Sequence, residues 1–321
     1  MAILIITDPA DYVVDEVIDW ILYFKEKPFR MSFDEFLQRA VINLSLSKKE
    51  KYRLSVDGSE IKSGWLRKDT EDSYHFNFLL NNSMDVDHTA VLQNYLRKET
   101  RVSKQLFLSS RIEWLCDYTF VNKNKIEVLE VAHSCGLNIP GTLVTNRKQE
   151  LSEFLKNNNI DSFIVKSIGE NLNLVIDNEI SYYQPVKLLN KNDVPGIPDK
   201  FLPTIFQEAI QKKYDLRLFY IHEKLYCMAI MSDDIDFRLS YERNRYLPFN
   251  VPDSTRKSVI KFMHKLGLNI GSLDLIMDMN DEVYFLEVNP TGEYDFMEKH
   301  CNYNIPKIIA NQLCYGHTSD K

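Results

Sequence analysis

The chain has 321 residues, enough for two or three domains with a substantial core. A net charge of -7 argues against broad binding to nucleic acid or anionic membranes. With 44% hydrophobic and 26% charged residues it has the balance of a soluble globular protein. Five scattered cysteines without a C-x-x-C pair fit reduced thiols in a cytoplasm, not a disulfide frame or a zinc site. The apolar N-terminal run lacks a basic leader and is too short for a signal peptide, and no stretch approaches a membrane span.

The chain opens with a buried strand at 2–6, closed by a turn at Thr7-Asp8-Pro9. Helical spacing follows at Val14, Val17, Ile18, Ile21 and Leu22, then a short element at 33–43. Residues 51–56 and 60–67 predict a hairpin around Asp57-Gly58. A tryptophan and paired basic residues end it (Trp65, Leu66, Arg67, Lys68), expected as a packed aromatic beside solvated charges. A long helix is predicted over 86–115. Together these give an α/β domain over 1–120.

A polar linker at 122–125 leads to a helix at 126–135, which Gly136 ends. An extended segment, a helix near 147–156 and a strand at 162–167 follow. That strand carries Lys166 among Ile164, Val165 and Ile168, and a lysine in apolar surroundings must find an anion. Lys125 stands at a helix start, an unfavourable place for a cation. Alternation over 171–188 suggests further strands, and 190–200 reads as a loop. PTIFQEAI at 203–210 reads as a buried strand.

The next strand, 214–221, places Asp215 and Arg217 on one face, either as a structural pair or as a site. A turn at 222–224 returns the chain through 225–231 into a loop at 232–250 that carries Asp236, Arg238, Arg243 and Arg245. A helix capped by Asp253-Ser254 runs to Leu266, and Gly267 ends it. Strands at 273–279 and 283–288 flank a tight turn at Asn280-Asp281. That turn sets Asp274 opposite Glu287, with Cβ atoms about 5 Å apart, and puts Asn289 on the same face. Opposed carboxylates repel unless a cation lies between them, and three hard oxygen donors suit Mg²⁺. Their apolar neighbours make embedded acids costly unless they are used. A helix near 304–313 and a tail at 318–321 end the chain. The seven histidines have no metal-ligand spacing.

The run D-L-I-M-D followed by Y-F-L-E-V-N-P-T-G resembles the metal-binding end of the ATP-grasp superfamily of carboxylate ligases. The resemblance implies that Asp274, Glu287 and Asn289 hold Mg²⁺ against a triphosphate. It extends to the segment from Asn124-Lys125 through IPGTLVTN to FIVKS, where Lys125 and Lys166 match the two nucleotide-contacting lysines. In the same family Gln207, Glu208, Ala209 and Ile210 match the hinge that reads adenine. The D-x-R at 215–217 and the Trp65–Lys68 run are similar to those of microviridin-type (graspetide) peptide ligases. There Asp215 and Arg217 would orient the acidic side chain of the peptide, and Arg238 would stand near the phosphates. TDPADYVVDEVIDWILY is similar to the N-terminus of the grasp-with-spasm branch, whose precursors are largely ester-linked.

The fold expected from this resemblance is α/β (α+β), an ATP-grasp fold behind an N-terminal pre-ATP-grasp domain. The expected units are 1–120, a middle subdomain over 121–203 and a C-terminal subdomain over 204–321 with the metal site. The expected function is an ATP- and Mg²⁺-dependent, cytoplasmic peptide macrocyclase. It would join Asp or Glu side chains of a ribosomal precursor peptide to Thr/Ser hydroxyls or Lys amines, with no nucleic-acid or membrane partner. A homodimer is left open. The alternatives are a ligase that adds a free amino acid to a carboxylate and a nucleotide-binding regulator without turnover.

Overall fold

The computed structural model describes residues 1–45, 51–68, 86–108, 112–115, 124–169, 173–176, 180–183, 187–234, 237 and 242–316. Asp236 and Arg238 lie outside them, as does the first half of the expected linker.

The N-terminal sheet is built on β1 (Ala2–Ile6), whose five side chains are all buried. β2 (Pro28–Met31) runs parallel to it on one side and β5 (Ser59–Leu66) on the other. β3 (Ala40–Ser45) and β4 (Lys51–Val56) continue the sheet in antiparallel order, β4 meeting only the start of β5. The expected hairpin forms, with Asp57 and Gly58 at positive φ as a tight two-residue turn needs. The element at 33–43 divides into a helix, α2 (Phe33–Arg39), and β3. The long helix is shorter than predicted. α3 covers Val86–Leu108, and Glu113–Leu115 forms β6, parallel to β5, with the Trp114 ring seated against Gly64 where any Cβ would clash.

Two antiparallel sheets make up the rest. The four-stranded one has the order β11 (Lys187–Asn190), β8 (Ser162–Lys166), β12 (Lys200–Glu208), β7 (Thr142–Arg147). Helices α4 (Lys125–Ser134) and α5 (Lys148–Asn157) flank β7 in the chain, and α5 buries Leu151 and Leu155 against Phe163 and Phe206. The loop expected at 190–200 is mostly a 3-10 turn, and β9 (Asn173–Ile176) pairs with β10 (Ile180–Tyr183) apart from the other sheets.

The five-stranded sheet has the order β15 (Arg245–Phe249), β14 (Lys224–Met231), β13 (Lys212–Ile221), β16 (Ile270–Asp278), β17 (Val283–Asn289). β15 was expected as loop. Its Pro248 is tolerated because the strand is at an edge, where no ladder donor is needed. α6 (Asp253–Leu266) covers one sheet face through Val259, Phe262 and Met263. It ends at Gly267 in the left-handed region as predicted, but no side chain caps its start. A helix missed in the sequence, α7 (Asp295–Cys301), follows β17. The last helix, α8 (Ile305–Tyr315), packs on α1 (Asp15–Tyr23) and shares one core with β1, so the first strand and the last helix are joined.

Candidate functional site

β13, β16 and β17 bring the acidic hairpin together. Asp274 pairs in register with Glu287, and Ser272 with Asn289, as the sequence required. The reason differs from the one expected. The turn is a three-residue loop, with Asp278 N donating to Glu282 O at 2.9 Å and Asp281 left-handed at φ 66°. Continued unbroken, that turn would set Asp274 opposite Leu286. A bulge at Leu286 absorbs the extra residue between the Leu275–Phe285 and Asp274–Glu287 pairs. The bulge thus keeps Phe285 in the core and still puts Glu287 on the Asp274 face.

This face is more open than the sequence suggested. Glu287 is exposed, so the expectation of embedded acids fails for it. Asp274 accepts an ion-paired hydrogen bond from Arg217 Nη1, its register neighbour on β13. Both side chains are largely covered, at 18% and 21% exposure. Asp215 turns to Lys212 instead, so the D-x-R acid and base do not pair with each other. Asn289 Oδ1 accepts from Thr291 N at 3.0 Å and Thr291 Oγ1 at 2.7 Å, which fixes its amide.

These donors fit Mg²⁺. They are hard oxygens only: the second oxygen of Asp274, the exposed Glu287 carboxylate and the Asn289 carbonyl. Ser272 adds a fully buried hydroxyl on the same face without a hydrogen-bond partner among the described residues. Among the described residues no three His, Cys, Asp or Glu gather as a cluster, and the candidate set uses two carboxylates and an amide.

The lysines gather at the other sheet. Lys166 Nζ donates to Gln207 Oε1 at 2.9 Å, and Gln207 Nε2 donates to Thr142 Oγ1 at 3.0 Å. Lys125, whose helix Asn124 caps, reaches back to the Gly169 carbonyl at 2.8 Å and the Ser167 carbonyl at 3.4 Å. It therefore ends beside the strand carrying Lys166 and is no ordinary surface lysine. Glu208 Oε2 accepts from Gly141 N at 3.2 Å. Ala209 N donates to Ser162 O at 3.0 Å, and Ile210 is half-buried in the connector between β12 and β13. The predicted hinge is thus the link between the lysine-bearing and acid-bearing sheets.

A cleft of about 770 Å³ opens beside Arg217 and Asp274, with Tyr246, Phe296, His300 and Glu293 in its wall. This wall was not legible in the sequence, because most of it comes from β15 and α7. The Tyr246 and His300 rings stack at 4.0 Å. Burial and the neighbouring Lys299 hold the His300 pKa below its ordinary value. Arg243, on the loop that leads into β15, is 80% exposed.

Searching curated proteins gives no match. Solved structures give long ones. The macrocyclase MdnC of Microcystis aeruginosa MRC, bound with precursor peptide MdnA, is 24% identical over 98% of this chain and 99% of its own, with a TM-score of 0.77. A RiPP-associated ATP-grasp ligase of Chryseobacterium gregarium, in complex with ADP and leader and core peptide, is 22% identical over 98% and 97%, with a TM-score of 0.79. The ATP-grasp ligase PsnB, complexed with a phosphomimetic precursor variant, Mg and ADP, is 16% identical over 98% and 97%, with a TM-score of 0.73. At these identities the likeness establishes the ATP-grasp fold. The RimK-like ATP-grasp domain family matches residues 122–313, more than half of the chain and all of the candidate site residues. The chain therefore belongs to the RimK-like ATP-grasp family and is an ATP-dependent ligase.

Proposed function

We propose that this ligase is a peptide macrocyclase that joins Asp or Glu side chains of a ribosomal precursor peptide to Thr/Ser hydroxyls or Lys amines. The observation that carries the reading is the extent of the structural likeness. It covers 98% of the chain, the N-terminal domain included, in proteins described with a bound precursor peptide or with a leader and core peptide. Arg217 in the wall of an open cleft, next to the acidic hairpin, supports the same reading, since its planar fork suits a carboxylate.

In this scheme Lys125 and Lys166 hold the phosphates of ATP, and the hinge from Gln207 to Ile210 holds its base. Asp274, Glu287 and Asn289 hold Mg²⁺, which when bound offsets charge on the transferred phosphoryl group. Arg217 orients the substrate carboxylate. A carboxylate oxygen attacks the γ-phosphorus, ADP leaves, and an acyl phosphate forms on the peptide. A hydroxyl or amine then attacks the acyl carbon, phosphate departs and the nucleophile loses its proton. Asp215, held by Lys212, shares with Arg217 the task of orienting that carboxylate. The four described cysteines are free thiols, as suits the cytoplasm.

The test is incubation with a candidate precursor peptide, ATP and Mg²⁺. The peptide should lose one water per bond, with about one ATP consumed for each. Mild base restores the water if the bonds are esters. A mass gain equal to an amino acid selects the free-amino-acid ligase instead.

A further inference from the structure

Arg67 was expected among solvated charges, but it is buried, with 1% of its surface exposed. Its Nη2 donates to Glu293 Oε2 at 2.8 Å, and its Nη1 donates to Glu293 Oε1 at 3.2 Å and to the Thr291 carbonyl at 3.1 Å. Its Nε lies 3.8 Å from Asp11 Oδ2, which accepts from Thr7 Oγ1 at 2.7 Å. The guanidinium also sits 5.8 Å from the ring centres of Trp65 and Tyr294. Arg67 thus ties the end of β5 to the segment that directly follows Asn289.

That segment has little slack. Gly292 is left-handed at φ 68°, and a Cβ there would come within 3.1 Å of Phe219 and 3.2 Å of Ile270. Tyr294 donates its hydroxyl to the Val13 carbonyl at 2.8 Å, anchoring the segment's far end in the N-terminal domain. Burial alone would push the Glu293 carboxyl up, but Arg67, helped by Lys68, outweighs it and holds the pKa below the ordinary value. A buried guanidinium is a costly way to hold two layers together, and apolar packing does that as well. What it adds is a fixed geometry, and its partner Glu293 lines the same cleft as Arg217 and Asp274.

The geometry points to Arg67 as a positioning residue for the cation site, acting through Thr291 on the orientation of Asn289 Oδ1. The path is short: Arg67 holds the Thr291 carbonyl, and the Thr291 amide and hydroxyl hold Asn289 Oδ1. The inference rests on the reading of Asn289 as a metal ligand. It makes the N-terminal domain part of the catalytic centre's support, not only a neighbour of it. Partners outside the first ligand shell typically change metal affinity by about 10–100-fold when removed.

The test is Mn²⁺ binding to the full chain with a non-hydrolysable ATP analogue, read as free Mn²⁺ by electron paramagnetic resonance. Hydrogen exchange at the Thr291 amide is followed in parallel. Arg67→Met should weaken Mn²⁺ binding about tenfold and speed exchange at Thr291, while cation-free nucleotide affinity stays the same. Folded Arg67→Met with wild-type Mn²⁺ affinity overturns the proposal. If Arg67→Met does not fold, Glu293→Gln decides: weaker Mn²⁺ binding supports the proposal and wild-type affinity overturns it. Asn289→Ala separates the two layers of the argument. If it too binds Mn²⁺ like wild type, the metal reading falls and the positioning role with it. If Asn289→Ala loses affinity and the Arg67 and Glu293 variants do not, only the positioning role falls.

Discussion

Replacing Arg217 by Met should tighten cation binding while blocking peptide modification. Arg217 holds one Asp274 oxygen, with both side chains at 18% and 21% exposure, so the pair is only lightly screened by water. Two unit charges at about 4 Å and an effective dielectric of about 20 attract by about 4 kcal/mol. Desolvation offsets a good part of that, leaving about 2 kcal/mol, in line with hydrogen bonds between charged groups. A cation recruiting Asp274 must compete with this pair. Removing the guanidinium returns that energy to the cation, an increase in Mn²⁺ or Mg²⁺ affinity of roughly thirtyfold, since about 1.4 kcal/mol is a factor of ten. Without cation the variant should lose about 2 kcal/mol of stability in urea unfolding, because Asp274 is left largely covered and without its Arg217 partner. The assay is Mn²⁺ titration of wild type and Arg217→Met with bound ATP analogue, beside peptide modification by mass spectrometry. Weaker or unchanged cation affinity would refute the competition. Intact modification would move Arg217 off the substrate carboxylate.

Three further outcomes are expected. Glu287→Gln and Asn289→Ala should abolish turnover yet remain folded, since both act through a ligand that carries several kcal/mol at the transition state; near wild-type rates at saturating Mg²⁺ would remove them from the metal site. Lys166→Ala should raise the Kd for ATP, measured by calorimetry, because its ammonium ends an apolar strand beside Gln207 at the proposed nucleotide hinge, where a phosphate would meet it; unchanged affinity would make it structural. The Arg67–Glu293 pair should make stability depend on acid pH. The folded pKa of Glu293 lies below its ordinary 4.5, so the pair's contribution is complete above that value and is lost as pH falls through the lowered one. Glu293→Gln should flatten that part of the stability profile, and an identical profile would contradict the assignment.

Much of the candidate site's geometry was legible because it sits on regular strands. Alternation along β13 and β16 placed Arg217, Asp215 and Asp274 on their faces, and the paired acids in β16 and β17 announced the hairpin. The register was reached by two compensating departures: a longer turn than Asn280-Asp281 suggests and a bulge at Leu286. Neither leaves a mark in a short apolar run, since Leu286 would suit a regular strand equally well. Arg67 was misread for a different reason. Its partners Thr291 and Glu293 lie 224 and 226 residues away, and no local pattern reports such a distance. β15 and β6 were missed because each is short and takes its strand form from a neighbour, β15 at the sheet edge with a proline and β6 through Trp114 on Gly64.

The central claim is that this ligase activates a peptide carboxylate by moving a phosphoryl group onto it. Precursor peptide labelled with heavy oxygen in its Asp and Glu carboxylates tests this directly. In a single incubation with ATP and Mg²⁺, the released inorganic phosphate is collected and weighed by mass spectrometry. The account predicts one labelled oxygen in the phosphate for every bond formed, since the carboxylate oxygen that attacks phosphorus leaves with it. Bond formation with unlabelled phosphate, or with the label carried on AMP, would contradict it.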